Sequence, residues 1–158
     1  WAVFDIVNHT KGLSEVNRIL KKGGKFLFTG KNDNYFNDDN LAFKAEKNAY
    51  LKEHPNKFTN LSDVLFNFKL YGFKLDKLYI FPKRGDMGKV NFIEHSNVIK
   101  DTYIGYEYLI LCHKVKDIDF NNLIGKKLDS PFSKSAISIA KKKGYLNPAD
   151  LFNSIGLD

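Results

Sequence analysis

The spacing of apolar residues in the first half of the chain predicts three helices. The first lies around residues 11–22 and would end at Gly23-Gly24. A second is predicted over Leu41–Glu53, with Asn40 as its N-cap, and a third follows an Asn60 cap. The apolar face of the first helix consists of Leu13, Val16, Ile19 and Leu20, and that of the third consists of Leu61, Val64, Leu65 and Phe68.

Three further apolar stretches predict strands. Lys25–Gly30 is a short apolar run that is typical of a buried strand, and the Asn- and Asp-rich stretch Lys31–Asn40 after it indicates a loop. Phe73–Phe81 alternates apolar residues with lysines, and Tyr103–Val115 predicts a long final strand. A helix, a glycine stop and a buried strand in that order favour an α/β fold with a parallel sheet. Because only a loop at 82–101 joins the last two strands, we expect them to be antiparallel neighbours.

The composition changes after Val115, and residues 116–158 predict a helical extension. One helix would begin at Ser130-Pro131 and another at Asn147-Pro148, the latter ending near Gly156. Both follow the order of N-cap, Pro at the first helical position and closing Gly. We therefore divide the chain into an α/β unit over residues 1–115 and a helical extension over 116–158.

The charge of the chain changes this picture little. The 158 residues carry a formal net charge of +7, from 25 Lys+Arg against 18 Asp+Glu. Arginine occurs only at Arg18 and Arg84, whereas proteins that read base edges or clamp phosphates favour the bidentate fork of Arg. Aromatic residues that alternate with lysines over Phe66–Phe81 leave one alternative open, a basic non-catalytic module that binds RNA or an acidic partner. Helix and strand core positions explain the same aromatics, which argues against a nucleic-acid partner.

Cysteine and histidine usage gives no metal or disulfide signal. The single cysteine, Cys112, excludes a disulfide within the chain and favours a core position. His54, His95 and His113 are too scattered to predict a metal site. The longest apolar stretches are far shorter than the ~20 residues of a membrane helix. We therefore expect a cytoplasmic protein with no membrane partner.

The passage from the first helix into the first strand carries the motif with the most information. It runs Leu13-Ser14-Glu15-Val16-Asn17-Arg18-Ile19-Leu20-Lys21-Lys22-Gly23-Gly24-Lys25-Phe26-Leu27-Phe28. This resembles class I S-adenosylmethionine-dependent methyltransferases, in which a helix ending in Glu-x-x-Arg-x-Leu-Lys-Pro-Gly-Gly leads into the fifth sheet strand. Lys22 stands where that family usually has Pro. Gly72-Phe73 would open the sixth strand, and a tyrosine-rich seventh strand would end near Lys114.

The resemblance also implies candidate site residues. Val3–His9 matches the loop after the fourth strand, where Asp5 would contact cofactor or substrate and His9 would be a general base. Ile6 takes the position of the family's usual His, and a helix-start carboxylate is the simpler interpretation of Asp5. An alternative alignment makes Phe4–Val7 the fourth strand itself. Substrate-facing positions would follow the buried strand at its carboxyl edge, at Gly30, Lys31 and Asn32, although a simple turn explains them equally well.

The resemblance begins after the family's main cofactor motifs. No G-x-G-x-x-G occurs in the chain, and the first residue is Trp1 rather than Met. We therefore interpret the chain as a fragment, the C-terminal half of a Rossmann-like methyltransferase fold with an antiparallel pair as its last strands. The intact protein would transfer a methyl group from S-adenosyl-L-methionine to a small-molecule, sugar or lipid acceptor. The fragment alone would be inactive and would self-associate through unpaired sheet edges.

Overall fold

The computed structural model describes residues 3–95, 103–118 and 128–158, which form an α/β fold. A 3-10 turn at Val3–Asp5 comes first. The helices are α1 (His9–Ile19), α2 (Asn40–Leu51), α3 (Leu61–Asn67), α4 (Lys134–Lys142) and α5 (Pro148–Ile155). The strands are β1 (Lys25–Asn32), β2 (Phe58–Thr59), β3 (Phe73–Phe81), β4 (Ile93–His95), β5 (Glu107–Lys114) and β6 (Asp129–Ser130).

The strands of the described residues form one mixed sheet in the order β4-β3-β5-β1-β2-β6. β5 lies between β3 and β1 and is antiparallel to both, so the antiparallel pairing predicted for the last two long strands is confirmed. The expected parallel sheet is wrong as a description of the whole. Among the described strands, β1 and β2 form the one parallel pair, whereas β5 is antiparallel to both of its neighbours.

Side-chain caps determine where the helices begin. Asn60 caps α3 and Asn147 caps α5, as predicted. α1 begins two residues before its predicted start because Asn8 accepts a hydrogen bond from a backbone N–H of its first turn. Asp39 rather than the following residue caps α2, and Ser133 caps α4 three residues after the predicted start.

Pattern-based prediction missed the short strands and set one boundary too early. β2, β4 and β6 contain only two or three residues each, too few to show an alternating pattern. The 82–101 stretch, predicted as a loop, therefore contains β4, which pairs with β3. The final strand begins at Glu107, not Tyr103.

The two edges of β1 are paired very differently. Along one edge, Lys25 through Lys31 pair residue by residue with β5. Along the other, the described strands pair only with Lys31 and Asn32, through β2. Residues 25–30 thus have no strand partner on that side within the described residues. The 3-10 turn at Val3–Asp5 lies next to this part of β1.

The main core lies between the sheet and helices α1 and α3. A second cluster joins α2 to α4 and α5. Phe28, Phe73, Ile110 and Leu13 are buried members of the main core, and Phe152 is a buried member of the second. Among the described residues, no helix has both the length and the apolar character needed to cross a membrane.

Residues 128–158 contain the two helices expected of the extension. They also contain β6, which pairs antiparallel with β2 and so belongs to the same sheet. α5 packs against α2 as well as α4. The division of the chain after Val115 stays a prediction.

Candidate functional site

The predicted site residues lie around the carboxyl end of β1. Gly30, Lys31 and Asn32 are the last three residues of this strand, which extends two residues beyond its predicted end. The predicted loop over Lys31–Asn40 is therefore wrong at its start. The 3-10 turn brings Asp5 to the same place, and Val3–Asp5 does not form the strand of the alternative alignment.

Asp5 and Lys31 form a largely buried ion pair. Lys31 Nζ lies 2.9 Å from Asp5 Oδ2, and the two side chains are 14% and 9% exposed, Lys31 first. Lys31 Nζ also donates a hydrogen bond to Asn56 Oδ1 at 2.9 Å. The Lys57 backbone N–H donates to the Asp5 carbonyl oxygen at 2.8 Å and anchors the turn. Asp5 Oδ1 is buried and has no hydrogen-bond partner among the described residues, so one carboxylate oxygen has unused acceptor capacity.

Glu107 adds a second carboxyl group to this end of the sheet. It stands directly opposite Lys31 in the register between β1 and β5. Burial raises the pKa of the Glu107 carboxyl, the positive charge of Lys31 lowers it, and the negative charge of Asp5 raises it again. The sequence held no signal for Glu107, because its proximity to Lys31 depends on a register between strands 76 residues apart.

His9 is the first residue of α1 and its side chain is buried, with 1% exposed. Its ring lies edge-on to Phe4, with a centroid distance of 5.1 Å. Nδ1 is 4.0 Å from Asp129 Oδ1, too far for a hydrogen bond, and neither ring nitrogen has a hydrogen-bond partner among the described residues. Burial lowers the pKa of His9 to about 4; Asp129 opposes this shift and Lys57 adds to it. The imidazole is therefore neutral at pH 7 and carries a free lone pair.

Gly30 makes room for a buried tyrosine. A Cβ atom at Gly30 would overlap the ring and hydroxyl of Tyr108, its partner in β5. The Tyr108 hydroxyl in turn lies 2.6 Å from Thr59 Oγ1. A glycine at this position thus allows the β1–β5 pair and β2 to be joined by a buried hydrogen bond.

Asn32 uses its side chain to hold the surrounding chain together. Its Nδ2 donates to the carbonyl oxygens of Tyr103 at 2.9 Å and Asn34 at 3.1 Å. Its Oδ1 accepts a hydrogen bond from the Leu61 backbone N–H at 3.3 Å. The observed contacts of both Gly30 and Asn32 are internal, and their role as substrate-facing residues stays a prediction.

We expect Gly30→Ala to lower the free energy of unfolding by about 2 kcal/mol, because the new methyl group forces the buried Tyr108 ring to move. Gly88→Ala is the matched control: its Cβ would meet only the Gly85 carbonyl oxygen, at an ordinary 3.6 Å. Urea denaturation of both variants measures the difference. Equal stability of the two would contradict the packing role of Gly30.

The other polar candidates lie apart from this site. Among the residues that the structure describes, no group of three or more His, Cys, Asp and Glu could hold a metal ion. His113 pairs with Asp76 at 2.7 Å. Cys112 is fully buried in the main core, and burial raises the pKa of its thiol to about 12.

The carboxyl end of β1 therefore brings together the Asp5–Lys31 ion pair and the Glu107 carboxyl group, and the neutral imidazole of His9 lies nearby beside Asp129. The sequence predicted Asp5 and Lys31 as site residues, but it did not predict Glu107 or Asp129. No protein-family model, curated protein or solved structure matches the chain.

Proposed function

We propose that this chain supplies the C-terminal half of a class I S-adenosylmethionine-dependent methyltransferase domain. The intact protein would transfer a methyl group to a small molecule or to an attached sugar or lipid group. The motif residues from Arg18 to Gly24 connect the end of helix α1 to the start of strand β1, in the order that the resemblance implies. The antiparallel pair β3–β5 also agrees with it.

The single observation that carries the proposal is that, among the described strands, none pairs with residues 25–30 of β1 on the side of β2. In doubly wound sheets of the order 3-2-1-4-5-6, the fifth strand has the fourth beside it. If β1 is that fifth strand, this side of residues 25–30 is the place where a strand from the other half of the domain would pair. An unpaired edge of this kind also favours self-association of the isolated chain.

The residues at the carboxyl end of β1 fit part of a cofactor site. Ligands of open α/β sheets bind at the carboxyl ends of the strands. S-adenosyl-L-methionine supplies an electrophilic methyl group on a sulfonium sulfur. The buried, unpartnered Asp5 Oδ1 would accept a hydrogen bond from a hydroxyl or amino group of the ligand, and Lys31 positions that carboxylate. The chain has no G-x-G-x-x-G, so the main contacts with the cofactor would come from residues outside it.

His9 is the candidate general base of this proposal. Its neutral imidazole can accept a proton at pH 7. The ring is buried and packs edge-on against Phe4, with the Asp129 carboxyl group 4.0 Å from its Nδ1. Asp129 would then stabilise the imidazolium that forms.

Binding of S-adenosylmethionine by the protein from the complete reading frame tests the proposal. We expect calorimetry to detect binding by that protein, and about tenfold weaker binding by its Asp5→Asn variant, since a charged hydrogen-bond acceptor is lost. Asp76→Asn, which alters a carboxylate paired with His113 away from this site, is the control and should bind like the wild type. Absence of binding by the protein from the complete frame would overturn the proposal. So would micromolar binding by the 158-residue chain alone.

One observation favours a second candidate function, a basic module for RNA or an acidic partner. Six exposed lysines lie at the opposite ends of the strands, where β1 and β3 begin and β5 ends; they are Lys21, Lys22, Lys25, Lys69, Lys74 and Lys116. Hydrogen bonds between Gly23 and Lys114, and between Lys114 and Gly24, hold the turn before β1 against the end of β5. A phosphate-driven module would lose affinity for an oligonucleotide steeply as salt rises. Salt-titrated binding that depends on these lysines, with no binding of S-adenosylmethionine, would favour this function.

A further inference from the structure

An apolar cavity of about 460 Å³ opens at the lysine-bearing end of the sheet. It lies between the end of α3, the beginning of β3 and the residues that follow β5. Its apolar walls come from Leu65, Phe68, Phe73, Leu75 and Val115. We call it the basic groove, because the other described residues that line it are lysines. Its volume is in the range of small-molecule binding pockets.

Three lysines line the basic groove, Lys69, Lys74 and Lys116, and all three are exposed. None of them has a carboxylate within 4 Å among the residues that the structure describes. The two acidic residues nearest in sequence are engaged elsewhere, Asp76 with His113 and Asp117 with Lys114. The groove therefore has an apolar interior and a positively charged rim.

The end of α3 does not cancel this positive charge. Residues after the helix bond to carbonyl groups of its last turn: the Phe68 N–H donates to the Leu65 oxygen at 3.3 Å, and the Leu70 N–H donates to the Asn67 oxygen at 2.9 Å. Carbonyl groups that are bonded in this way offer little negative potential to an anion at the rim.

We propose that the basic groove binds a fatty acid, with its acyl chain against the apolar walls and its carboxylate among the three lysines. An apolar interior with a cationic rim is complementary to a ligand that has one charged end and a long apolar body. Lysine ammonium groups are compact point charges on flexible stems, so they can pair with a carboxylate without the fixed bidentate geometry of a guanidinium. Phe68 and Phe73 are only 3% and 1% exposed, so they offer little ring surface on which a nucleic-acid base would stack. The half-buried Leu75 and Val115 present more of the apolar surface that an acyl chain would contact.

The basic groove is separate from the candidate site at the carboxyl end of β1. The groove adjoins the beginning of β3 and the end of β5, and the candidate site adjoins the opposite strand ends. Six residue steps along β1 correspond to about 20 Å. The fatty-acid proposal therefore does not depend on methyl transfer, and either can fail alone.

Calorimetric titration of the 158-residue chain with laurate tests the proposal. We expect saturable binding with one site. Butyrate, which has the carboxylate but not the chain, should bind much more weakly, and so should dodecanol, which has the chain but not the charge. NMR shifts of the Leu75 and Val115 methyl groups upon addition of laurate would locate the ligand.

Two triple variants with the same change in net charge distinguish binding of laurate in the basic groove from general electrostatic attraction to a basic protein. Lys69→Ala with Lys74→Ala and Lys116→Ala should raise the Kd for laurate about tenfold. Lys141→Ala with Lys142→Ala and Lys143→Ala removes three exposed lysines at the end of α4 and should leave the Kd unchanged. Circular dichroism checks that both variants fold.

Any of four results would overturn the proposal: no saturable binding of laurate, equal effects of the two triple variants, butyrate binding as tightly as laurate, or methyl shifts confined to other residues. Oligonucleotide binding that requires the groove lysines, in the absence of laurate binding, would assign this surface to RNA instead.

Discussion

Glu46→Ala is expected to lower the free energy of unfolding by about 4 kcal/mol, one of the two largest effects expected in this molecule. Glu46 lies in α2, and its carboxylate is buried and accepts three hydrogen bonds from Tyr35 and Ser133. The Tyr35 hydroxyl and the Ser133 hydroxyl donate to Oε2, each at 2.7 Å, and the Ser133 backbone N–H donates to Oε1 at 2.8 Å. Alanine would leave these buried donors without an acceptor and would also create a cavity.

Urea denaturation followed by circular dichroism measures this loss. Glu15→Ala is the matched control, because Glu15 is also a helical glutamate with partners but lies exposed beside Arg18. Exposed pairs of this kind contribute little to stability, because solvent screens the two charges. Glu46→Gln should fall between the two, since it retains the size and one acceptor oxygen. A loss of under about 1 kcal/mol for Glu46→Ala would mean that the C-terminal segment is not held by this carboxylate.

Glu46 also marks a limit of prediction from sequence. The period of apolar residues predicts α2 and the two C-terminal helices, because each helix must bury one face. It contains no information on which polar residue of one helix meets a cap residue 87 positions away. A glutamate within a helix is ordinarily solvent-exposed, so no pattern in the chain singles out Glu46.

The candidate site was likewise only partly predictable from the sequence. Asp5 and Lys31 were predicted as site residues because the resemblance aligns each with the carboxyl edge of a strand. The structure brings the two side chains into contact. Glu107 and Asp129 join them only through strand pairing, and β6, which carries Asp129, has just two residues. Strands this short have no sequence period, so neither their existence nor the carboxylate they position was predictable. The long strand β3, by contrast, has its predicted bounds.

His9 should make the protein less stable in mild acid. The folded-state pKa of about 4 lies below the ordinary value of 6.5. Above pH 6.5 the imidazole is neutral in both states and contributes nothing. As the pH falls from 6.5 towards 4, the unfolded chain binds a proton that the folded chain does not, so the free energy of unfolding decreases. At pH 4 the free energy of unfolding is lower by about 3 kcal/mol, because each tenfold difference in proton affinity between the two states corresponds to about 1.36 kcal/mol.

Urea denaturation between pH 7 and pH 4 of the wild type and of His9→Phe isolates this contribution. Phenylalanine keeps a ring against Phe4 but cannot be protonated. The free energy of unfolding of His9→Phe should therefore decrease by about 3 kcal/mol less than that of the wild type over this range. His54→Phe, at an exposed position, should lose as much as the wild type. If His9→Phe does not fold, NMR titration of the wild-type ring decides the matter. A His9 ring that titrates near pH 6.5 would show that the imidazole reaches solvent, and it would contradict the shielded base on which the proposed chemistry depends.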